Sequence, residues 1–289
     1  MSDTSVRIAL LGLPQTGKTT YLAAFYNALC DPDVAAPIKI VTLPEQATYL
    51  MTILRNWQEA RPTGRTATGE QGRVEMRLSH EGDQFTLAMP DMSGELFENV
   101  LRERVVPAAV YTTLVEHDAY LVFVHPDELR DRILLTDVAA AKASVAAVTG
   151  QRSGPPATVG EEFATKALPL QASMVDLLQA MAELRQGAPC RLAVLISAWD
   201  RVGGADGPPD RWLAARMPLL SQYLANAAHL DCAVFGVSAQ GGVYDDSGAM
   251  ADVRPSERAY AVSAGAGRID ITAPVCWAAG LAGAAVNPA

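Results

Sequence analysis

Gly12-Leu13-Pro14-Gln15-Thr16-Gly17-Lys18-Thr19 fills every fixed position of the pattern G-x-x-x-x-G-K-[ST]. Glycines let the main chain curl, so that successive N–H groups and the start of the following helix face phosphate oxygens; Lys18 adds a full positive charge. Thr19 brings the hydroxyl that such a loop offers to Mg²⁺. The flanks agree with this reading. Residues 6–11 are a dense apolar run ending at Gly12, and Leu22, Ala23, Phe25, Tyr26 and Leu29 then recur at helical spacing. The blander alternative, a glycine-rich turn between strand and helix with an exposed lysine, leaves both the match and its context to chance.

Outward from that loop, apolar runs at 120–124, 192–196 and 233–237 are bounded by polar residues or glycine, which suits strands buried on both faces. Helical patterns fall near 43–60, 131–148, 169–185 and 210–227, and a Glu81-Gly82-Asp83 turn joins extended runs at 74–78 and 85–89 as a hairpin. Strands alternating with helices predict an α/β fold in three layers, a P-loop NTPase sheet that is mostly parallel with one antiparallel strand. No internal repeat is visible. We expect one domain over 1–289, with an insertion at about 126–168 and an extended C-terminal segment, 240–289.

The chain has 289 residues, 49% hydrophobic and 19% charged, which excludes long-range disorder, a collagen-like fibre and a coiled coil. Its 23 basic and 32 acidic side chains give a net charge of −9, a poor surface for nucleic acid or an anionic membrane. Any bound anion is therefore held by a local device. Cys30, Cys190, Cys232 and Cys276 lack the paired spacing of a zinc site and read as buried free thiols in a reducing cytoplasm. The apolar stretch 271–286 is interrupted by Pro274 and falls short of the roughly 20 residues that span a bilayer, so a helix packed on the core is expected there. The apolar run at 8–13 ends at the glycine-rich loop, not at a cleavage site, so no signal peptide is expected.

Three later loops decide the class of chemistry. The hairpin's second strand runs into Asp91-Met92-Ser93-Gly94-Glu95, a D-x-x-G arrangement in which Asp91 reaches the Mg²⁺ shell and the Gly94 N–H senses a terminal phosphate. A helix N-cap is the plainer role for Asp91 or Ser93. The run at 192–196 ends in Ser197-Ala198-Trp199-Asp200, and the run at 233–237 ends in Ser238-Ala239-Gln240. These resemble the base-recognition loops N/T-K-x-D and S-A-K of GTPases. Guanine presents N1–H and an amino group on one edge, so one carboxylate, Asp200, accepts two bonds, whereas adenine offers an acceptor at N1 and repels it. The order of loops converges on the carboxyl edge of the sheet, where open α/β sheets bind ligands.

With these motifs in place the chain resembles a Ras-like GTPase of the translation-factor-related class over nearly its whole length. More narrowly, Gly17-Lys18-Thr19-Thr20-Tyr21-Leu22-Ala23-Ala24, Arg65-Thr66, Pro90 to Glu95, Ser197 to Asp200, Phe235 to Gly242 and Ile271-Thr272-Ala273-Pro274 are similar to the bacterial double-GTPase family. The resemblance implies that Gly12, Gln15, Thr16, Gly17, Lys18 and Thr19 hold phosphates, with Thr20 near the α-phosphate, and that Thr19, Thr66 and Asp91 surround Mg²⁺. It implies base recognition by Asp200, Ser238 and Ala239. Lys18, Thr66, Gly94, Glu95 and Arg65 then form the catalytic set, with Thr63 and Thr68 as competitors of Thr66 in a solvated Thr-rich loop. Arg65 is either a charge-neutralising finger acting in cis or an ordinary loop arginine.

Three departures bear on activity. Glu95 stands where many Ras-like enzymes carry a water-orienting glutamine; a carboxylate there positions water but repels a γ-phosphate. Ala198 and Gln240 replace the lysines of the two base loops, and Trp199 either shields the base or packs beneath its loop. The four histidines, His80, His117, His125 and His229, show no ligand spacing. The expectation is a cytoplasmic, Mg²⁺-dependent GTP/GDP switch, slow or partner-activated, regulating protein partners. The family's association with bacterial conflict systems comes from the resemblance alone. A pseudo-GTPase interaction module is the second reading, and an ATPase or small-molecule kinase the third.

Overall fold

The structure is a computed structural model that describes residues 6–42, 46–61, 74–89, 106–129, 169–202, 207–242, 250 and 252–281. Among the described residues a nine-stranded sheet runs in the order β2 (Lys39–Thr42), β3 (Val74–His80), β4 (Asp83–Met89), β1 (Val6–Gly12), β5 (Ala119–Val124), β6 (Cys190–Ile196), β7 (Leu230–Ser238), β8 (Tyr260–Ser263), β9 (Gly267–Ile269). At its centre lie β1 (Val6–Gly12), β4 (Asp83–Met89), β5 (Ala119–Val124), β6 (Cys190–Ile196) and β7 (Leu230–Ser238). All four pairings among these strands are parallel. Each strand therefore points its carboxyl end at the same edge.

Alternation along β1 shows why this run is apolar throughout. Ile8 and Leu10 join one buried cluster and Ala9 and Leu11 the other, so the strand has no face left for water. The first cluster is completed by α1 (Lys18–Cys30), α2 (Ala47–Gln58) and a short C-terminal α8 (Ala273–Ala278). The second is completed by α3 (Ala108–Glu116), α4 (Leu170–Leu184), α5 (Pro209–Arg216) and α6 (Pro218–Asn226). Helices thus cover both faces, giving the three layers read from the sequence.

Several elements differ from the sequence reading. The helical pattern at 210–227 is two helices, because Pro218 opens α6 and forces Met217 out of helical geometry (φ −132°, ψ 58°). Besides the expected reversed strand β3 (Val74–His80), the sheet has a second, β8 (Tyr260–Ser263), antiparallel to β7. Strands β2 (Lys39–Thr42) and β9 (Gly267–Ile269) flank the sheet, and a bulge interrupts β2 between Ile40 and Thr42. The expected C-terminal helix over 271–286 is confined to α8 within the described residues. All four cysteines are free, but Cys30 is exposed where a buried thiol was expected. Burial pushes the Cys232 thiol up to about 12 and that of Cys276 up to about 11. No helix among the described residues is long and apolar enough to cross a membrane. The helix expected near 131–148 lies outside the described residues.

The C-terminal part is anchored to the helix that follows the glycine-rich loop. Tyr21 of α1 is fully buried, meets Phe123 edge to face at 5.3 Å, and donates its hydroxyl to the Ile271 carbonyl at 3.1 Å. Replacing Tyr21 by Phe leaves that carbonyl without its donor, at a cost of about 1–3 kcal/mol. We expect a matching fall in the urea midpoint, and an unchanged midpoint would show the bond to be idle.

Candidate functional site

Three carboxyl-end loops meet at one edge of the sheet. The first follows β1. Its main chain curls through positive φ at Gly12 (151°), Gln15 (63°) and Gly17 (90°). Gly17 caps α1 without any side-chain bond, and the first helical bond runs from the Tyr21 N–H to the Gly17 carbonyl at 2.9 Å. The N–H groups of the first turn therefore point out of the helix end into the loop, with the positive end of the helix dipole behind them. Buried Thr16 ties the curl by donating to the Leu13 carbonyl at 2.9 Å. The Lys18 ammonium arches over the loop, donating to the Gly12 and Leu13 carbonyls at 2.7 and 2.6 Å. Thr19 and Thr20 follow in the same turn.

The second loop leaves β6. Ser197 bonds the end of β5 through its N–H and its hydroxyl, both to the Val124 carbonyl, at 2.9 and 3.2 Å. A Cβ on Gly17 would sit 3.4 Å from the Ser197 Cβ, so this loop abuts the first. Ala198 takes a left-handed conformation (φ 48°, ψ 41°) and launches a single 3-10 turn, Trp199–Arg201, that carries Asp200. The third loop leaves β7. Its Ser238, fully buried, donates its hydroxyl to Asp200 Oδ1 at 2.6 Å and accepts the Gly241 N–H at 3.2 Å. Residues 38 apart in sequence thus meet in one charge-assisted bond.

Trp199 packs beneath its loop. A Cβ on Gly236 of β7 would lie 2.2 Å from Trp199 Cδ2, and Trp212 meets the same indole edge to face at 6.4 Å. The indole is half-buried between these two contacts. At the end of β5, His125 accepts the Asp127 N–H at 3.2 Å, and Arg201 pairs with Asp127 at 2.6 Å. Burial holds the His125 imidazole below its ordinary range, with Asp127 opposing.

The Double-GTPase 1 family model matches residues 9–278, nearly the whole chain. The chain belongs to the Double-GTPase 1 family. It is therefore a P-loop GTPase by family, and guanine-nucleotide binding is the family's property. No curated protein is similar in sequence at a significant level. Among solved structures, the signal recognition particle receptor SRb-GTP/SRX complex from Chaetomium thermophilum is similar at a TM-score of 0.40 and 13% identity, over 83% of this chain and 93% of that one. The S. cerevisiae Ski7 GTPase-like domain, bound to GTP, is similar at a TM-score of 0.36 and 11% identity, over 82% of this chain and 43% of that one.

Of the residues that the sequence singles out in this double-GTPase chain, the structure brings together Gly12, Gln15, Thr16, Gly17, Lys18, Thr19 and Thr20 with Asp200, Ser238 and Ala239. Arg65, Thr66, Asp91, Gly94 and Glu95 lie outside the described residues, as do Thr63 and Thr68. Strand β4 nevertheless ends at Met89 on the shared edge, two residues before Asp91. Sequence reasoning missed Ser197 as a contact of the glycine-rich loop. The available signals were its place after a buried strand and at the first position of the N/T-K-x-D-like stretch.

The close approach at Gly236 gives a direct test. Gly236→Ala must displace a rigid indole, at a cost of about 1–3 kcal/mol. The expected result is a lower urea midpoint with a red-shifted tryptophan emission in the native baseline; native emission identical to wild type would contradict the packing.

Proposed function

We propose that this edge binds a guanine nucleotide with Mg²⁺ and that the protein is a GTP-hydrolysing switch. The observation that carries the reading is the Ser238 to Asp200 bond at 2.6 Å, made by two loops that share an edge with the phosphate cradle. Ser238 orients the carboxylate, and each of its oxygens keeps a lone pair for an incoming N–H. Guanine offers two such donors side by side; adenine does not.

The cradle of main-chain N–H groups, the Lys18 ammonium and the Thr19 hydroxyl fit a di- or triphosphate and its metal. Thr19, with Asp91 and Thr66, would hold Mg²⁺, which when bound neutralises phosphate charge. Lys18 steadies the phosphate tail, the Gly94 N–H senses its terminal group, and Glu95 orients water, with Arg65 adding positive charge. Changes in the loops bearing Thr66 and Gly94 would then present different surfaces to protein partners. We read the chain as one cytoplasmic domain with its insertion at about 126–168. Regulation of partners within a bacterial conflict system is the role that the family resemblance supports.

A second reading has its own observation. Trp199 packs against Gly236, and Ala198 has no long stem to lay over a purine where a lysine would. Weak guanine affinity with little turnover, as in a pseudo-GTPase, would follow. Phosphate release separates the two. Purified protein with GTP and Mg²⁺ should release phosphate, and Lys18→Ala should abolish it; tight binding without release would favour the second reading.

Base choice has a separate test. Asp200→Asn should weaken GDP about 10- to 100-fold and shift preference towards xanthine, whose edge carries a carbonyl in place of the amino group. Competition of ATP against labelled GDP checks the same point: displacement by ATP as effective as by GDP itself removes Asp200 from base recognition.

A further inference from the structure

The loop after β7 is fixed from behind by a helix that no phosphate-loop motif includes. Trp57 stands in the last turn of α2, fully buried, and its indole N–H donates to the Ala239 carbonyl at 2.8 Å. Arg258 belongs to α7 (Pro255–Arg258) and is 2% exposed, with its guanidinium carbon 4.7 Å from the centre of the Trp57 ring. The same guanidinium donates to the Trp57 carbonyl at 3.1 Å and the Gln58 carbonyl at 2.8 Å. These are the last carbonyls of α2, where a cation also meets the negative end of the helix dipole. Gln58 in turn donates to Asn27 of α1 at 2.8 Å. Gly241 (φ 86°) closes the node from the loop side, since a Cβ there would lie 2.7 Å from the Arg258 carbonyl oxygen.

A trans peptide carries its C=O and N–H on opposite sides, and the described residues contain no cis bond. With the Ala239 oxygen drawn to Trp57, the N–H of the same peptide, on Gln240, faces away from it. A fixed N–H pointing away from the core suits the exocyclic C6 carbonyl oxygen of guanine and opposes the amino group that adenine carries there. Loss of the indole N–H strips the Ala239 carbonyl of its donor and frees the peptide to turn. We propose that Trp57 is a positioning residue for base recognition, holding the orientation of the Ala239 to Gln240 peptide, with Arg258 as the lock that holds Trp57. This rests on the assignment of the loop to the base and adds a determinant on a distant helix.

The test compares wild type, Trp57→Phe and Asp200→Asn by calorimetric titration with GDP, ADP and inorganic pyrophosphate in the presence of Mg²⁺. Phenylalanine keeps an aromatic face under Arg258 and removes the N–H. GDP affinity should fall about 5- to 20-fold in Trp57→Phe, with the GDP-over-ADP preference, while pyrophosphate affinity stays unchanged. Unchanged GDP affinity in the folded variant, or equal losses for GDP and pyrophosphate, overturns the proposal. If Asp200→Asn lowers the GDP-over-ADP preference and Trp57→Phe does not, Trp57 alone fails; if neither lowers it, the base-loop assignment fails too. Should Trp57→Phe not fold, hydrogen exchange on the wild type decides. GDP, but not pyrophosphate, should slow exchange over 47–61, and exchange indifferent to GDP overturns the proposal.

Discussion

Strands β1, β5, β6 and β7 run side by side in one direction with apolar side chains on both faces, and β4 joins them with Phe85 and Leu87 in one cluster, so none can slip by a residue without driving core groups towards the wrong layer. That fixed register places Gly12, Val124, Ile196 and Ser238 at one edge. The loops inherit their positions from the strands. Much of their chemistry is then supplied by main-chain groups and short side chains, with the Lys18 ammonium added from the start of α1.

Within that edge the loops support one another. Ser197 stands against Gly17, Ser238 holds Asp200, and Trp57 holds Ala239, so phosphate cradle, acidic side chain and third loop form one connected set. Pre-set donors and acceptors do not have to be ordered when a ligand arrives, which favours affinity without extra contact area. The same connection reaches the C-terminal region through Arg258 and through the Tyr21 bond to Ile271.

The cradle was legible because all its parts lie within eight consecutive positions, between a strand and a helix whose periodicities are unmistakable. The loops after β6 and β7 were legible as loops because each follows a buried apolar run. Trp57 was not, since its partners Ala239 and Arg258 are 182 and 201 residues away and its place among apolar residues on α2 looks like ordinary core. Strands β2, β8 and β9 were missed because four, four and three residues are too few to show alternation. The break at Pro218 was overlooked because apolar spacing continues through it into α6. Ala198 adopts a left-handed backbone that its side chain does nothing to announce.

The flanks of the sheet carry a consequence of their own. On one side β2 is four residues long, bulged and headed by Lys39; on the other, β9 spans three residues. Along these described strands an incoming strand from another molecule finds few main-chain groups to pair with, which disfavours edge-to-edge addition there.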